Sequence, residues 1–370
     1  MSIGTIALLI AGLVGLVAGA EALVRGAARL AARTGMSSVV IGLTVVAFGT
    51  SAPELAVSVG DALRGGPEAG SIAIGNVVGS NIANILLVLG TASAVGGALF
   101  VAQRIVRLDV PIMIGASVLF LVFVLNEKLG RVEGVVLLTL LAVYLTWTVI
   151  SATRGSAPGI VTEYEDALDP EALAKASVLS DIGFLILGLV LLVFGSQALV
   201  NSASDIAADL GVSDLVIGLT VVAIGTSLPE VATSVLAAFR GQRDLAVGNA
   251  IGSNLFNLLA VLGVTAVVSP NAIPVAASAV QVDIPMMVAV AVACLPIFAN
   301  GYVLNRWEGI AFLVAYAGYL TWVVLDATEN VSRDTYGDVV LFFVVPIITI
   351  TIATLWYRGR ANGAQQNFAE

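Results

Sequence analysis

Apolar residues gather along this chain into runs of about 20, the length that crosses roughly 30 Å of hydrocarbon as a helix. The runs predict spans near residues 3–24, 37–62, 70–98, 105–125, 132–152, 179–200, 213–239, 244–268, 279–299, 306–326 and 338–357, eleven in all. The first run lacks a basic leader and a clear cleavage site, so it reads as a retained span. The longest polar loop, residues 153–178, contains TEYEDALDPEAL and reads as an acidic linker between two halves. Its spacing does not match a calcium loop with glycine at the sixth position. The last run has no counterpart earlier in the chain.

Composition agrees with that pattern. Of 370 residues, 59% are hydrophobic and 11% charged, which places the chain among polytopic membrane proteins with no room for a soluble catalytic domain. There is no histidine, and Cys294 is the single cysteine, so disulfide frameworks, thiolate zinc sites and histidine catalysis drop out. A net charge of −9 argues against nucleic acid as a partner. With the N-terminus outside, the inward segments hold Arg25, Arg29, Arg33, Arg104, Arg107, Arg154, Lys175, Arg240, Arg243, Arg306, Arg358 and Arg360. The outward loops hold only Arg64, Lys128, Arg131 and Arg333. Twelve against four predicts N-out, C-in in the cell membrane.

A search for internal repeats changes the reading. GLTVVAFGTSAPELAVSVGDALR at 42–64 matches GLTVVAIGTSLPEVATSVLAAFR at 218–240 in 16 of 23 positions. IGNVVGSNIANILLVLG at 74–90 matches VGNAIGSNLFNLLAVLG at 247–263 in 10 of 17. Each half then holds five spans, and an odd number inverts the second copy relative to the first. The expected architecture is an all-α membrane protein: a first five-helix repeat at 1–152, the linker at 153–178, an inverted repeat at 179–326, and an added helix with a tail at 327–370. Inverted repeats are typical of secondary transporters, whose site lies near the midplane on interrupted helices.

The matched motifs are the candidate chemistry. Glu54 and Glu230 fall near mid-span, where an ionised side chain costs several kcal/mol unless paired or coordinated. Pro53 and Pro229 withhold a hydrogen bond from the carbonyls of Gly49 and Gly225, which are expected to face the acids. Thr50 and Thr226 stand four residues before the acids on the same helix face. Ser80 with Asn84, and Ser253 with Asn257, repeat the four-residue spacing; Gly79 and Gly252 permit close helix approach, and Asn81 and Asn254 can brace a neighbouring helix. All these ligands are oxygens. Hard cations such as Ca2+ take 6–8 of them, two carboxylates balance one Ca2+, and Na+ ions can use overlapping subsets, the physical basis of antiport. Asp109 and Asp283, each two residues before a proline, read as helix N-caps, as do Glu133 and Glu308. Glu21, with Arg25 four residues on and Gln197 at its matching position, reads as interfacial.

GTSAPE with GNVVGSNIAN, and GTSLPE with GNAIGSNLFN, resemble the two alpha-repeats of the cation/calcium exchanger superfamily, over roughly residues 3–326. The resemblance implies a ten-helix core exchanging Ca2+ for Na+, with the first helix of each half sliding across a fixed ion-binding core. It assigns Glu54 and Glu230 as calcium ligands, Thr50 and Thr226 as carbonyl and hydroxyl ligands, and Ser51 and Ser227 as sodium-coordinating hydroxyls. It also assigns the carbonyls of Ala47 and Ala223 to sodium, and Ser80, Ser253, Asn84 and Asn257 as polar positions of the second helix. The proton-coupled branch typically carries glutamate where Asn84 and Asn257 stand, and the potassium-dependent branch an aspartate in one repeat. Amides do not titrate, which favours sodium coupling, with proton coupling through Glu54 or Glu230 and K+ dependence as the alternatives. A cation channel is the alternative from another class. A hydrolase built on Ser51 or Ser227 lacks a base. No cofactor and no obligate protein partner are expected; the partners are Ca2+, Na+ and the lipid bilayer.

Overall fold

A bilayer leaves no water for backbone groups, and a helix satisfies them within one segment, so the apolar runs fold as helices. The structure is a computed structural model that describes residues 2–64, 66, 69–154, 178–328 and 332. In chain order the helices are α1 (Ile3–Thr34), α2 (Ser38–Thr50), α3 (Ala52–Arg64), α4 (Ser71–Gly96), α5 (Ile105–Phe123) and α6 (Arg131–Arg154). The second half supplies α7 (Val178–Asp209), α8 (214–226), α9 (Leu228–Phe239), α10 (Arg243–Val268), α11 (Ala279–Ala299) and α12 (Arg306–Ala327). Among the described residues, eight of these are long and apolar enough to cross a membrane, and α2 with α3 forms a ninth passage bent by 42°. The pair α8 and α9 repeats that broken passage in the second half. Ten of the expected spans are thus present. The eleventh, 338–357, and linker residues 155–177 lie outside the described residues.

Two elements are longer than the apolar runs predict. Helices α1 and α7 each have 32 residues, about 48 Å at 1.5 Å per residue, so they outrun the hydrocarbon. They pack antiparallel through glycines spaced by seven. A Cβ on Gly12 would lie 2.8 Å from the carbonyl oxygen of Gly195, and one on Gly188 2.6 Å from the backbone nitrogen of Leu23. Asp181, fully buried in the first turn of α7, accepts from Arg33 Nε at 2.5 Å and lies 3.8 Å from Arg29. A buried carboxylate so paired ties the end of α1 to the start of α7.

The twofold relation of the halves extends to details no motif announces. Leu99–Phe100 pairs antiparallel with Val303–Leu304, and Lys128–Leu129 with Ile273–Pro274. Each ribbon joins one half to the other: the loop between α4 and α5 pairs with that between α11 and α12, and the loop between α5 and α6 with that between α10 and α11. Six π-helical turns come in matched pairs: Gly42–Val46 with Gly218–Val222, Asn84–Leu89 with Asn257–Val261, and Ile105–Asp109 with Ala279–Asp283. Such turns recur at functional sites. Glu308 caps α12 as expected, its carboxylate accepting from the Asn305 N–H at 2.7 Å, and Glu133 accepts from the Gly130 N–H at 3.1 Å. Asp109 and Asp283 are not caps. Their backbones are already helical, inside π turns, and neither side chain bonds a helix N-terminus. Asp109 is instead buried, accepting from the Tyr144 hydroxyl at 3.0 Å with Arg104 Nε at 3.5 Å.

The halves differ in one packing. Helix α2 runs parallel to the start of α10 at backbone contact: Cβ atoms on Gly42, Gly248 and Gly252 would meet Leu245 O at 2.9 Å, Val39 O at 2.9 Å and the Leu43 backbone at 2.8 Å. At the matched positions Gly218, Gly75 and Gly79, nothing lies within 4 Å. Helix α2 is almost wholly buried, whereas Gly218 is exposed and Val216, Thr220 and Ile224 of α8 are half-buried.

Candidate functional site

The two GTS-x-PE motifs break their helices at the serine. Ser51 has φ −82° and ψ 3°, and Ser227 φ −88° and ψ 1°, outside helical values, and the prolines then sit in the first turn of α3 and α9. Glu54 and Glu230 therefore project from the first turns of half-helices, close to the middle of the bundle. Both are buried, at 0% and 1% exposure. Glu230 lies within Coulombic range of Glu54 and beside Thr50. Neither acid has a basic partner among the described residues, and three of their four carboxylate oxygens accept no hydrogen bond: Glu54 Oε2 and both oxygens of Glu230. The fourth, Glu54 Oε1, has the Ser80 hydroxyl at 3.5 Å.

The other candidates lie on the two broken passages and on α4 and α10. The hydroxyls of Ser51 and Ser227, both amide atoms of Asn84 and Asn257 Oδ1 are buried without a partner. Thr50 donates to Asn249 Oδ1 at 3.2 Å and lies 3.2 Å from Ser253 Oγ, so it links α2 to α10 across the halves. Thr226 is half-buried, at the end of α8. The Ala47 carbonyl accepts from the Ser51 N–H at 3.0 Å and lies 3.4 Å from the Thr50 hydroxyl; Ala223 opens the corresponding turn of α8. Asn81 braces neighbouring helices, donating to the Asn254 carbonyl at 3.3 Å and accepting from Asn257 Nδ2 at 3.1 Å. Asn84 and Asn257 each open a π turn, where the helix changes register.

The Gly225 carbonyl, freed by Pro229, accepts from the Ser196 hydroxyl of α7 at 2.6 Å. Sequence reasoning passed over residues that frame the site. Asn76 donates to the Glu54 carbonyl at 3.1 Å and to Ser58 Oγ at 3.0 Å, and its counterpart Asn249 donates to Ser234 Oγ at 3.1 Å. Both pairs recur in the aligned motifs, so the repeat itself held the signal. Thr233 had none: its hydroxyl is buried without a partner one turn after Glu230, and its matched residue Val57 is exposed.

The arrangement is an all-oxygen constellation with two acids, drawn equally from both halves. Among the described residues no three acids, cysteines or histidines are grouped so as to hold a metal ion, and the two acids are the charged groups of the arrangement. Residues 4–150 and 180–325 match the family of sodium/calcium exchanger proteins. The chain belongs to this family. The exchanger is 40% identical to CaxA of Alkalimonas amylolytica over 287 residues, covering 77% of this chain and 87% of that protein. It is 32% identical to the sodium/calcium exchanger MaX1 of Methanosarcina acetivorans over 317 residues, covering 77% of this chain and 89% of that protein. A solved structure of the sodium-calcium exchanger NCX_Mj, soaked with Na+ and Sr2+, superposes with a TM-score of 0.72 at 32% identity, covering 87% of this chain and 99% of that one. The exchanger is thus a multi-pass membrane transporter for cation/calcium antiport, not an enzyme, and its inverted repeats are those of the exchanger fold.

Proposed function

We propose that this chain exchanges Ca2+ for Na+ across the cell membrane, with Glu54 and Glu230 as the central ligands of one site that both ions use in turn. The observation that carries this reading is the pair of buried acids from opposite halves, without a basic partner among the described residues, three of whose four oxygens lack donors. A buried carboxylate costs several kcal/mol unless neutralised, and a divalent cation between two of them removes that cost. The hydroxyls of Thr50, Thr226, Ser51, Ser227, Ser80 and Ser253, the amide oxygens of Asn84 and Asn257 and the carbonyls of Ala47 and Ala223 complete a hard-cation shell. Na+ takes subsets of the same oxygens, so the ions displace one another. Asn84 and Asn257 carry no proton, which favours Na+ over H+ as the driving ion.

With the N-terminus outside, as the arginine distribution predicts, the packed contact of α2 on α10 closes the cytoplasmic side. The loose fit of α8 on α4 then leaves the external side open. Alternating access is the exchange of these two packings, and an inverted repeat supplies both from one kind of sequence.

The test is Ca2+ uptake into proteoliposomes preloaded with Na+. Uptake follows the Na+ gradient and carries net charge; Glu54→Gln and Glu230→Gln each lower it by at least about 100-fold, matching the roughly 3–5 kcal/mol of a broken buried ionic set. Uptake that follows a pH gradient without Na+, or that requires K+, overturns sodium coupling. Preferential movement of Mg2+ or Mn2+ overturns the substrate. Unitary currents above carrier turnover overturn the carrier reading.

A further inference from the structure

We infer that the outer face of the bundle holds a single anionic phospholipid, one acyl chain lying in a groove between α5 and α6 and its phosphate at Arg104. The groove has a volume of about 320 Å³, opens toward the bilayer, and is walled by Gly115 and Leu119 on one side and Leu140, Val143 and Trp147 on the other, with Leu259 of α10 as its floor. Such a slot between two spans takes a hydrocarbon tail and excludes a headgroup. What distinguishes it from ordinary lipid-facing surface is its polar end. There the Arg104 guanidinium stands over the Trp147 ring at 5.4 Å, donates to Thr148 Oγ1 at 3.0 Å and lies 3.5 Å from Asp109.

Arg104 is anchored, yet it is not used up. A guanidinium carries five N–H groups, and among the described residues Arg104 makes one hydrogen bond and one ion pair while 24% of its side chain stays exposed. Arg107, on the next turn of α5, is exposed and adds a second positive charge to this end of the helix. A phosphate is the complement: it accepts planar, paired N–H donors, and an interfacial tryptophan beside it marks headgroup depth. By the arginine count this end faces the cytoplasmic leaflet, the one rich in anionic lipid. The site adjoins the transport machinery. Leu259 sits in the π turn Asn257–Val261, two residues from Asn257, so a tail in the groove presses on the segment that positions that amide.

Native mass spectrometry of the full chain released from phosphatidylcholine nanodiscs that contain a minor fraction of phosphatidylglycerol tests this. The expected result is retention of one phosphatidylglycerol in preference to phosphatidylcholine. Gly115→Phe sends its ring into a space where nothing lies within 4 Å of a Cβ, so it fills the groove without a clash. It is expected to lower retention several-fold at an unchanged melting temperature. Arg104→Gln is expected to remove the preference for phosphatidylglycerol while leaving an acyl chain bound; should loss of the Asp109 partner unfold it, Gly115→Phe alone decides. Equal retention of the two lipids, or retention untouched by Gly115→Phe, overturns the inference. Lipid retention is read without ion flux, so the outcome is separate from that of the exchange assay.

Discussion

Helices α2 and α8 carry nearly the same sequence and sit in opposite surroundings. GLTVVAFGTS packs its glycine face onto α10 with backbone atoms touching, while GLTVVAIGTS leaves the matching glycines of α8 and α4 open. The ion-site helices behave differently: each half contributes one buried acid, one broken passage and one π turn at an asparagine. The centre of the molecule is therefore nearly symmetric and its two entrances are not. Sequence cannot dictate that difference, because both entrances are written in the same residues. In the proposed exchange cycle it belongs to the conformational state, and a second state with the packings exchanged has similar local contacts available to it. In that proposed cycle glycine makes both packings accessible, since either face would close to backbone contact and open again.

The comparison breaks most sharply at Gly252. A Cβ there already lies 2.7 Å from that of Ala47 and 2.8 Å from the Leu43 backbone, so Gly252→Leu cannot keep the closed entrance. Overpacking of this kind costs about 1–3 kcal/mol. Expected are a lower melting temperature and faster thiol labelling of a Val39→Cys probe; the native Cys294 is buried and stays silent. Unchanged labelling would refute the closed contact. Gly79→Leu is the matched control with the opposite signature. Its side chain meets open space here, so stability shifts by no more than about 0.5 kcal/mol. Exchange, however, requires α8 to close on α4 and slows by about tenfold, a barrier increase of about 1.4 kcal/mol. Full-rate exchange by Gly79→Leu would mean that this face never closes.

The spans, the repeat and the two acids were legible because they rest on hydropathy and on polar residues too costly to keep in lipid without use. The remainder was not, for reasons that differ from residue to residue. The extensions of α1 and α7 are polar at one end, so a hydropathy run stops near residue 24 or 200 while the helix continues. The π turns have no sequence period that separates them from α-helix. Asp109 before Pro111 has the pattern of a cap, yet the turn preceding it is already helical, and Tyr144 and Arg104, 35 residues away and five residues before it, take its carboxylate. Asn76 and Asn249 lay inside the aligned motifs and were overshadowed by the serines and asparagines four and eight residues on. The capture of the Gly225 carbonyl by Ser196 is a tertiary contact that no local pattern encodes.

That capture gives a smaller test, because the residue matching Ser196 in the first half is Ala20 and no hydroxyl stands there. Ser196→Ala leaves a buried carbonyl unpaired next to the break in α8, at a cost of about 1 kcal/mol. The expected result is a modest fall in melting temperature, with Ala20→Gly producing no equivalent loss of a hydrogen bond. An unshifted melt for Ser196→Ala would show that water replaces the donor.

The smallest effect belongs to Glu21, which accepts from Arg25 at 2.5 Å and from Arg240 at 2.7 Å and so joins α1 to the end of α9 on the closed side. Glu21 is part-exposed and Arg240 more than half exposed, so water screens the bridge and its worth is below about 1 kcal/mol. Glu21→Gln is expected to raise labelling of the Val39→Cys probe slightly at low ionic strength. The difference should vanish near 1 M salt, where the screening length falls to about 3 Å. A difference that persists at high salt would show that Glu21 acts through packing and not through an exposed ion pair.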